Sequence, residues 1–171
     1  QITAVSRTGM LNLYRQDLKR IDRKFEELYT SLEVLGHLEN TWVLITSDHG
    51  EEFYDHGNWG HGKSLYPEFI NVPAILVPPA ELEGIKKPQQ LDSMVESIDI
   101  APTFGELAQI APPQYWEGSS LYPLLTGDIQ ATTMNTALSQ FNDGRYLWSA
   151  AIVDNWQVIY RESPDAVDLP T

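Results

Sequence analysis

Residues 41–46, Thr-Trp-Val-Leu-Ile-Thr, constrain the fold most. A continuous run of β-branched, aliphatic and aromatic side chains is typical of a strand buried on both faces. Because such strands belong to sheets covered by helices, the run predicts a parallel α/β sheet. Residues 72–77 form a second run, with Pro73 near its start and Pro78-Pro79 at its end, and predict another strand.

A long amphipathic helix is predicted directly before the first strand. Apolar residues recur between Leu11 and Leu35 in alternating steps of four and three. Thr8 is the predicted N-cap and Gly36 the predicted C-terminal stop. A coiled coil has the same spacing, but the strand signal that follows favours a helix packed on a sheet. A short helical piece is predicted within residues 64–69.

The remainder of the chain changes from helices to short strands. Asp99 is the predicted N-cap of a helix through Ile110, and residues 119–125 predict one more short helix, closed by Gly127. Three β-rich runs follow, at residues 136–141, 146–153 and 156–160, and predict an antiparallel meander. We therefore predict two domains, an α/β portion over residues 1–128 and a small antiparallel sheet over residues 129–171.

Composition limits the classes of partner. The chain has 11 Lys and Arg against 24 Asp and Glu, a net charge of −13, which is the wrong sign for nucleic acid or an anionic membrane. Without cysteine it has no disulfide, thiolate metal site or cysteine nucleophile. No apolar run approaches the ~20 residues of a membrane span. The start at Gln1, directly ahead of a helix, suggests a position inside a longer protein. Nothing predicts the oligomeric state.

Histidines are concentrated in one glycine-rich segment. Three of the four histidines lie within the thirteen residues from His49 to His61, and residues 47–63 also contain four glycines. The segment begins where the first predicted strand ends. Because ligands of parallel α/β sheets bind outside the carboxyl ends of the strands, residues 47–63 are the predicted functional loop.

Four residues of this loop are candidate site residues. Asp48 and His49 offer an oxygen and a nitrogen to one divalent cation. The alternative for this dipeptide alone is a turn-capping aspartate beside an exposed histidine, but the strand end and the glycines favour a metal site. His61 and Lys63 could donate to the oxygens of an anionic ester and protonate the departing alcohol. The alternative for Lys63 is a solvated surface amine.

The remaining charged residues of the loop have less specific predictions. His56 is expected to form a loop-stabilising hydrogen bond to the backbone. Glu51, Glu52 and Asp55 are expected at the loop surface, with Glu51 or Asp55 orienting a metal ligand as the alternative.

These stretches together resemble the sulfatase family of the alkaline-phosphatase-like superfamily. Residues 40–51 resemble the family's strand that leads into a metal-binding Asp-His or Asp-Asn pair. Residues 60–66 and 71–73 resemble the following segment, where the family has a substrate-facing Lys or His ahead of a Val-Pro strand. Residues 97–103 and 118–127 are similar to two later structural landmarks. The last strands resemble the family's small C-terminal sheet.

The resemblance implies roles for residues of this chain. Asp48 and His49 become ligands of a divalent cation, usually Ca²⁺ in this family, and His61 and Lys63 bind the sulfate oxygens or protonate the leaving group. Asn71 stands where the family often has Arg, which puts an anion contact there in doubt. The family's acidic pair and its Cys or Ser segment, the source of the formylglycine nucleophile, are not in this sequence. We therefore expect the nucleophile upstream and this polypeptide alone to be inactive.

The leading hypothesis is hydrolysis of sulfate esters, on a small molecule or a glycan, by the parent protein. The alternative within the superfamily is a phosphodiester or phosphonate hydrolase, or a phosphoglycerol or phosphoethanolamine transferase, with Mn²⁺ or Zn²⁺ and a Thr, Ser or Cys nucleophile. A non-catalytic binding module that retains the fold is the alternative from another class. The resemblance also suggests an exported or membrane-anchored parent.

Overall fold

The computed structural model describes residues 4–80, 82, 85, 90–127 and 136–163. The chain divides into two compact units, Gln1–Leu82 and Glu83–Thr171. The predicted division between residues 128 and 129 lies outside the described residues and stays a prediction. Within the described ranges, no helix is both long and apolar enough to cross a membrane.

The first unit begins with helix α1, Ala4–Val34, as the apolar periodicity predicted. Thr8 lies inside α1, so its prediction as N-cap is wrong. No Gly or Pro interrupts residues 4–8, and the preceding turn therefore continues the helix. Gly36 takes the left-handed conformation at φ 75° and ends the helical path, as predicted. A 3-10 turn, His37–Asn40, follows and buries Leu38.

Both predicted strands of this unit are present, as β1, Val43–Thr46, and β4, Ala74–Val77. They pair antiparallel, with Val43 opposite Val77, so the parallel arrangement predicted for the sheet is wrong for this pair. Parallel neighbours need a crossover, usually a helix, whereas the connection here holds only a two-stranded hairpin and the short helix α2, Pro67–Ile70. The strands are partly exposed rather than buried on both faces.

The hairpin consists of β2, Glu52–Phe53, and β3, Trp59–Gly60. The ring of Phe53 lies 4.9 Å from that of Tyr14 on α1 and 5.1 Å from that of Trp59. The Tyr14 contact holds the hairpin against α1, and the Trp59 contact joins its two strands. The helical piece predicted near residues 64–69 is confirmed as α2, which buries Phe69.

The second unit starts with a 3-10 turn, Ser97–Asp99, that leads into α3, Ile100–Leu107. The predicted helix is confirmed but ends before Ile110. Asp99 is buried at the predicted position, yet its carboxylate accepts the backbone N–H of Glu96 at 2.9 Å and of Ser119 at 2.8 Å rather than capping α3. A short helix, α4, Tyr122–Thr126, ends at Gly127 as predicted.

The predicted meander is confirmed as three antiparallel strands in the order β5-β6-β7. They span Thr136–Asn142, Leu147–Val153 and Trp156–Glu162. Ala150 on the central strand is buried between its neighbours Ser139 and Ile159.

Candidate functional site

The candidate site is built on the loop that leaves β1. The Ser47 hydroxyl donates to the His49 carbonyl at 2.7 Å, and the Gly50 N–H donates to the carbonyl of Phe69 at 2.7 Å. A Cβ on Gly50 would lie 1.9 Å from the Glu68 carbonyl oxygen. Only glycine therefore fits where the loop passes this close to α2. This close contact sets the positions of Asp48 and His49, which directly precede Gly50.

Asp48 and His49 are adjacent and open to solvent. Asp48 Oδ2 lies 3.7 Å from His49 Nε2, and the side chains are 87% and 45% exposed. His49 Nδ1 lies 2.9 Å from the carbonyl oxygen of Gly50, which can only accept a hydrogen bond. The tautomer that satisfies this contact carries its proton on Nδ1 and leaves the Nε2 lone pair beside the carboxylate. This donor set fits a divalent cation.

His61 is brought next to His49, although the two residues are twelve positions apart in sequence. The two imidazole rings lie 4.4 Å apart with an interplanar angle of 33°. His61 Nδ1 lies 3.1 Å from Glu51 Oε2, and this carboxylate orients the ring. Glu51 itself is less exposed than His61. Three of the four predicted site residues, Asp48, His49 and His61, thus form one cluster.

Lys63 lies on the same loop but makes a different contact. Its ammonium group donates to the carbonyl of Trp59 at 2.8 Å. This hydrogen bond ties the residue to β3, and within the described residues no ion pair joins Lys63 to Asp48 or Glu51.

Glu52 is fully buried, so the prediction that it lies at the loop surface is wrong. Its Oε1 accepts the backbone N–H groups of His56 at 2.9 Å and Asn58 at 2.7 Å. The carboxylate thereby accepts hydrogen bonds from two backbone N–H groups that, among the described residues, have no backbone carbonyl as partner inside the hairpin turn. In sequence Glu52 looks like its neighbour Glu51, and only the hairpin register, with Glu52 opposite Gly60, distinguishes them.

His56 and Asp55 are structural residues of the hairpin. The His56 ring stacks on Tyr66 with ring centres 3.7 Å apart, and its Nδ1 lies 2.5 Å from Glu68 Oε1. The predicted loop-stabilising role is found, with a carboxylate rather than the backbone as the partner. Asp55 forms an ion pair with Arg7 of α1 at 2.6 Å, and Arg7 also donates to the carbonyl of Phe53.

Asp48 and His49 offer two donor groups to a metal ion, which is fewer than a complete site needs. Among the described residues no group of three or more His, Asp or Glu side chains could hold a metal ion. Any further ligand for the cation would therefore have to come from elsewhere.

The sequence model of the sulfatase family matches residues 3–110. The chain belongs to the sulfatase family. A curated sulfatase relative, the extracellular sulfatase SULF-1 homolog of Drosophila melanogaster, is 36% identical over 123 residues, which are 70% of this chain and 10% of that protein. This chain spans between 10% and 19% of the lengths of the first three curated relatives that it matches.

Solved structures confirm the alkaline-phosphatase-like fold predicted for this sulfatase chain. A phosphonate monoester hydrolase of Agrobacterium radiobacter matches with a TM-score of 0.83, covering 94% of this chain and 34% of that one, at 18% identity. A 2-O GAG sulfatase matches with a TM-score of 0.55 at 29% identity, covering 71% of this chain and 29% of that one. The predicted combination of an α/β portion with a small antiparallel sheet is thus the family's fold.

Proposed function

We propose that the protein containing this chain hydrolyses sulfate esters and that Asp48, His49 and His61 form part of its active site. One observation carries the site assignment: the ring of His61 lies 4.4 Å from that of His49, whose Nε2 lies 3.7 Å from Asp48 Oδ2. Membership of the sulfatase family supports the class of reaction.

Asp48 and His49 are the proposed ligands of a divalent cation. When bound, such a cation neutralises the negative charge of the ester oxygens. Ca²⁺ is the family expectation, whereas an imidazole ligand is also suited to Mn²⁺ or Zn²⁺, so these are the alternatives. The ligands beyond Asp48 and His49 are proposed to come from polypeptide outside this sequence.

His61 is the proposed acid for the leaving group. Because Glu51 accepts from Nδ1, the ring presents Nε2 to the ester, and protonated Nε2 can donate to the departing oxygen. A new S–O bond forms to the nucleophile oxygen, which water ultimately supplies, while the S–O bond to the alcohol breaks. One proton goes to the alcohol through His61 and the other is released, so that the products are the alcohol, sulfate and a proton. Lys63 is the proposed point charge for a sulfate oxygen.

The nucleophile, a formylglycine, is proposed to lie on polypeptide outside this sequence, so the 171-residue chain alone is expected to be inactive. The proposed substrate is a sulfate ester of a small molecule or a glycan. A 2-O GAG sulfatase among the solved structures supports a glycan. An exported or membrane-anchored location is proposed because one relative is named an extracellular sulfatase.

The test is an assay of the full-length protein on aryl sulfate beside aryl phosphate and aryl phosphonate. We expect sulfate to be preferred, a chelator to abolish turnover, and one of Ca²⁺, Mn²⁺ or Zn²⁺ to restore it. His61→Gln should lower kcat about 10²- to 10⁴-fold, the usual contribution of general acid catalysis. His37→Gln, a matched change in the 3-10 turn, should not. Preference for phosphonate, or turnover insensitive to chelator, would contradict the proposal.

A further inference from the structure

The second unit has a cluster of cations and aromatic rings at one end of its sheet. We call Arg145, Tyr146, Trp148 and Arg161 the arginine cluster. The guanidinium carbon of Arg161 lies 4.4 Å from the ring centre of Tyr146 and 5.1 Å from that of Trp148. The guanidinium carbon of Arg145 lies 5.2 Å from the same Tyr146 ring. Two cations therefore share one aromatic ring.

The hairpin turn between β5 and β6 fixes this arrangement. One carboxylate oxygen of Asp143 accepts the backbone N–H groups of Arg145 at 2.8 Å and Tyr146 at 2.6 Å. The other accepts the indole N–H of Trp148 at 3.0 Å. Trp148 and Arg161 are direct cross-strand partners on β6 and β7. The cluster is thus held by strand register and by a hydrogen-bonded turn, rather than by flexible side chains alone.

The local charge is unusual for this chain. Arg145 and Arg161 are the only Lys or Arg residues after Lys87 in a sequence with a net charge of −13. Both lie within 5.2 Å of one ring centre, so their charges are separated by no more than about one Debye length at 0.1 M salt. Bringing two like charges together costs free energy, and the aromatic faces offset only part of it.

The guanidinium groups also retain unused donors. Within the part of the chain that the structure describes, the guanidinium groups of Arg145 and Arg161 form no ion pair and donate no hydrogen bond. Asp143, a nearby carboxylate, is already engaged by Trp148 and the turn. A guanidinium that lies over a ring keeps its N–H edge free, and that edge matches two oxygens of a sulfate or carboxylate.

We propose that the arginine cluster is an oxyanion-binding site for a sulfate or carboxylate group, such as those carried by an anionic saccharide. It goes beyond the proposed function, because it uses no residue of the loop that holds Asp48 and His61. Arg145 and Arg161 supply the charge and the donors, while Tyr146 and Trp148 hold the guanidinium groups in place and offer partly exposed ring surface to a sugar. If the cation–π contacts only stabilise the hairpin, no oxyanion should bind here.

NMR of the full 171-residue chain tests this proposal. Sodium sulfate, glucosamine 6-sulfate, glucuronate and unsulfated glucosamine would each be titrated at ionic strength held constant with sodium chloride. We expect saturable shifts of the Trp148 indole N–H and the Arg145 and Arg161 Nε–H signals with the three oxyanions and none with glucosamine. Tighter binding of the two anionic sugars than of inorganic sulfate would identify a saccharide as the source.

Variants test whether oxyanions bind specifically at the arginine cluster or respond only to the positive charge of any exposed arginine. Arg161→Gln and Arg145→Gln should each weaken oxyanion binding about tenfold, since each removes charge-assisted hydrogen bonds. Arg15→Gln, the same charge change on exposed α1, should not alter it. Backbone amide shifts of β5–β7 outside the cluster report whether each variant keeps its fold, and binding is compared only where they are retained. Shifts that do not saturate, or an equal loss in Arg15→Gln, would overturn the proposal, as would no shift at all.

Discussion

Glu51 Oε2 lies 3.1 Å from His61 Nδ1, so that Glu51, two residues after His49, orients the imidazole at the far end of the same loop. This contact makes Glu51 a positioning residue for the proposed acid. From the sequence, Glu51 was expected at the loop surface, with orientation of a metal ligand as the alternative, whereas its contact is with His61.

Replacing Glu51 tests that positioning. In the full-length protein, Glu51→Gln should lower kcat for an aryl sulfate about 10- to 100-fold, the usual effect of losing a partner that orients an active-site imidazole. KM should change little, because Glu51 is not proposed to contact the ester. Steady-state kinetics measure both, with the exposed Glu26→Gln on α1 as the control. An unchanged kcat would show that the contact does not serve catalysis.

Glu52 should matter for stability rather than chemistry. Glu52→Ala removes the acceptor of two backbone N–H groups inside the hairpin, and leaving such groups unpaired costs about 1–3 kcal/mol each. We expect the free energy of unfolding to fall by about 2–4 kcal/mol. Glu52→Gln keeps an acceptor oxygen and should lose less. Urea denaturation of the chain measures the difference, and an equal effect of the partly exposed Glu51→Ala would contradict it.

Gly50 tests the close approach of the loop to α2. Gly50→Ala would place a methyl group against the Glu68 carbonyl, where backbone must move. We expect a loss of more than about 2 kcal/mol of unfolding free energy, as for other overpacked positions. Gly9→Ala is the matched control: nothing lies near its Cβ inside α1, so it should stabilise by about 0.5–1 kcal/mol. Thermal denaturation distinguishes the two, and tolerance of Gly50→Ala would contradict the predicted clash.

Asp143 should make the stability of the meander depend on pH. The indole N–H of Trp148, the backbone N–H groups of Tyr146 and Arg145, and the charge of Arg161 hold the pKa of this carboxyl below its ordinary value of 3.8. A lowered folded pKa means that the carboxylate stabilises the fold above pH 3.8 and that this contribution is lost as pH falls through the folded pKa.

The midpoints of urea denaturation, recorded between about pH 5 and pH 2.5, test this pH dependence of stability. Asp143→Asn should flatten the acid side of the profile, whereas Asp154→Asn, in the other turn of the meander, should leave its slope unchanged. An acid slope in Asp143→Asn as steep as in the parent chain would contradict the assignment.

Local elements were predictable because short-range chemistry determines them. The apolar period gave α1, the β-rich runs gave β5 to β7, and Gly36 and Gly127 ended helices because they adopt positive φ. The pairing of β1 with β4 was not predictable, because a buried apolar run looks alike in parallel and antiparallel sheets.

The site was predictable in part for the same reason. The spacing of His49 and His61 suggested one cluster, and the rings are in contact. Glu52 was missed because burial of a carboxylate depends on the hairpin that encloses it. The arginine cluster depends equally on strand register, since Trp148 and Arg161 meet only once β6 and β7 pair.

The central claim is that Asp48 and His49 bind a divalent cation, and metal content measures it without relying on turnover. Full-length protein, Asp48→Ala, His49→Ala and the α1 control Asp17→Ala would be purified in parallel and assayed by inductively coupled plasma mass spectrometry. We predict about one divalent ion per chain in the parent and in Asp17→Ala, and a much lower metal content in the two site variants, since losing a ligand weakens metal binding by about tenfold or more. Equal metal content in all four proteins would contradict the account.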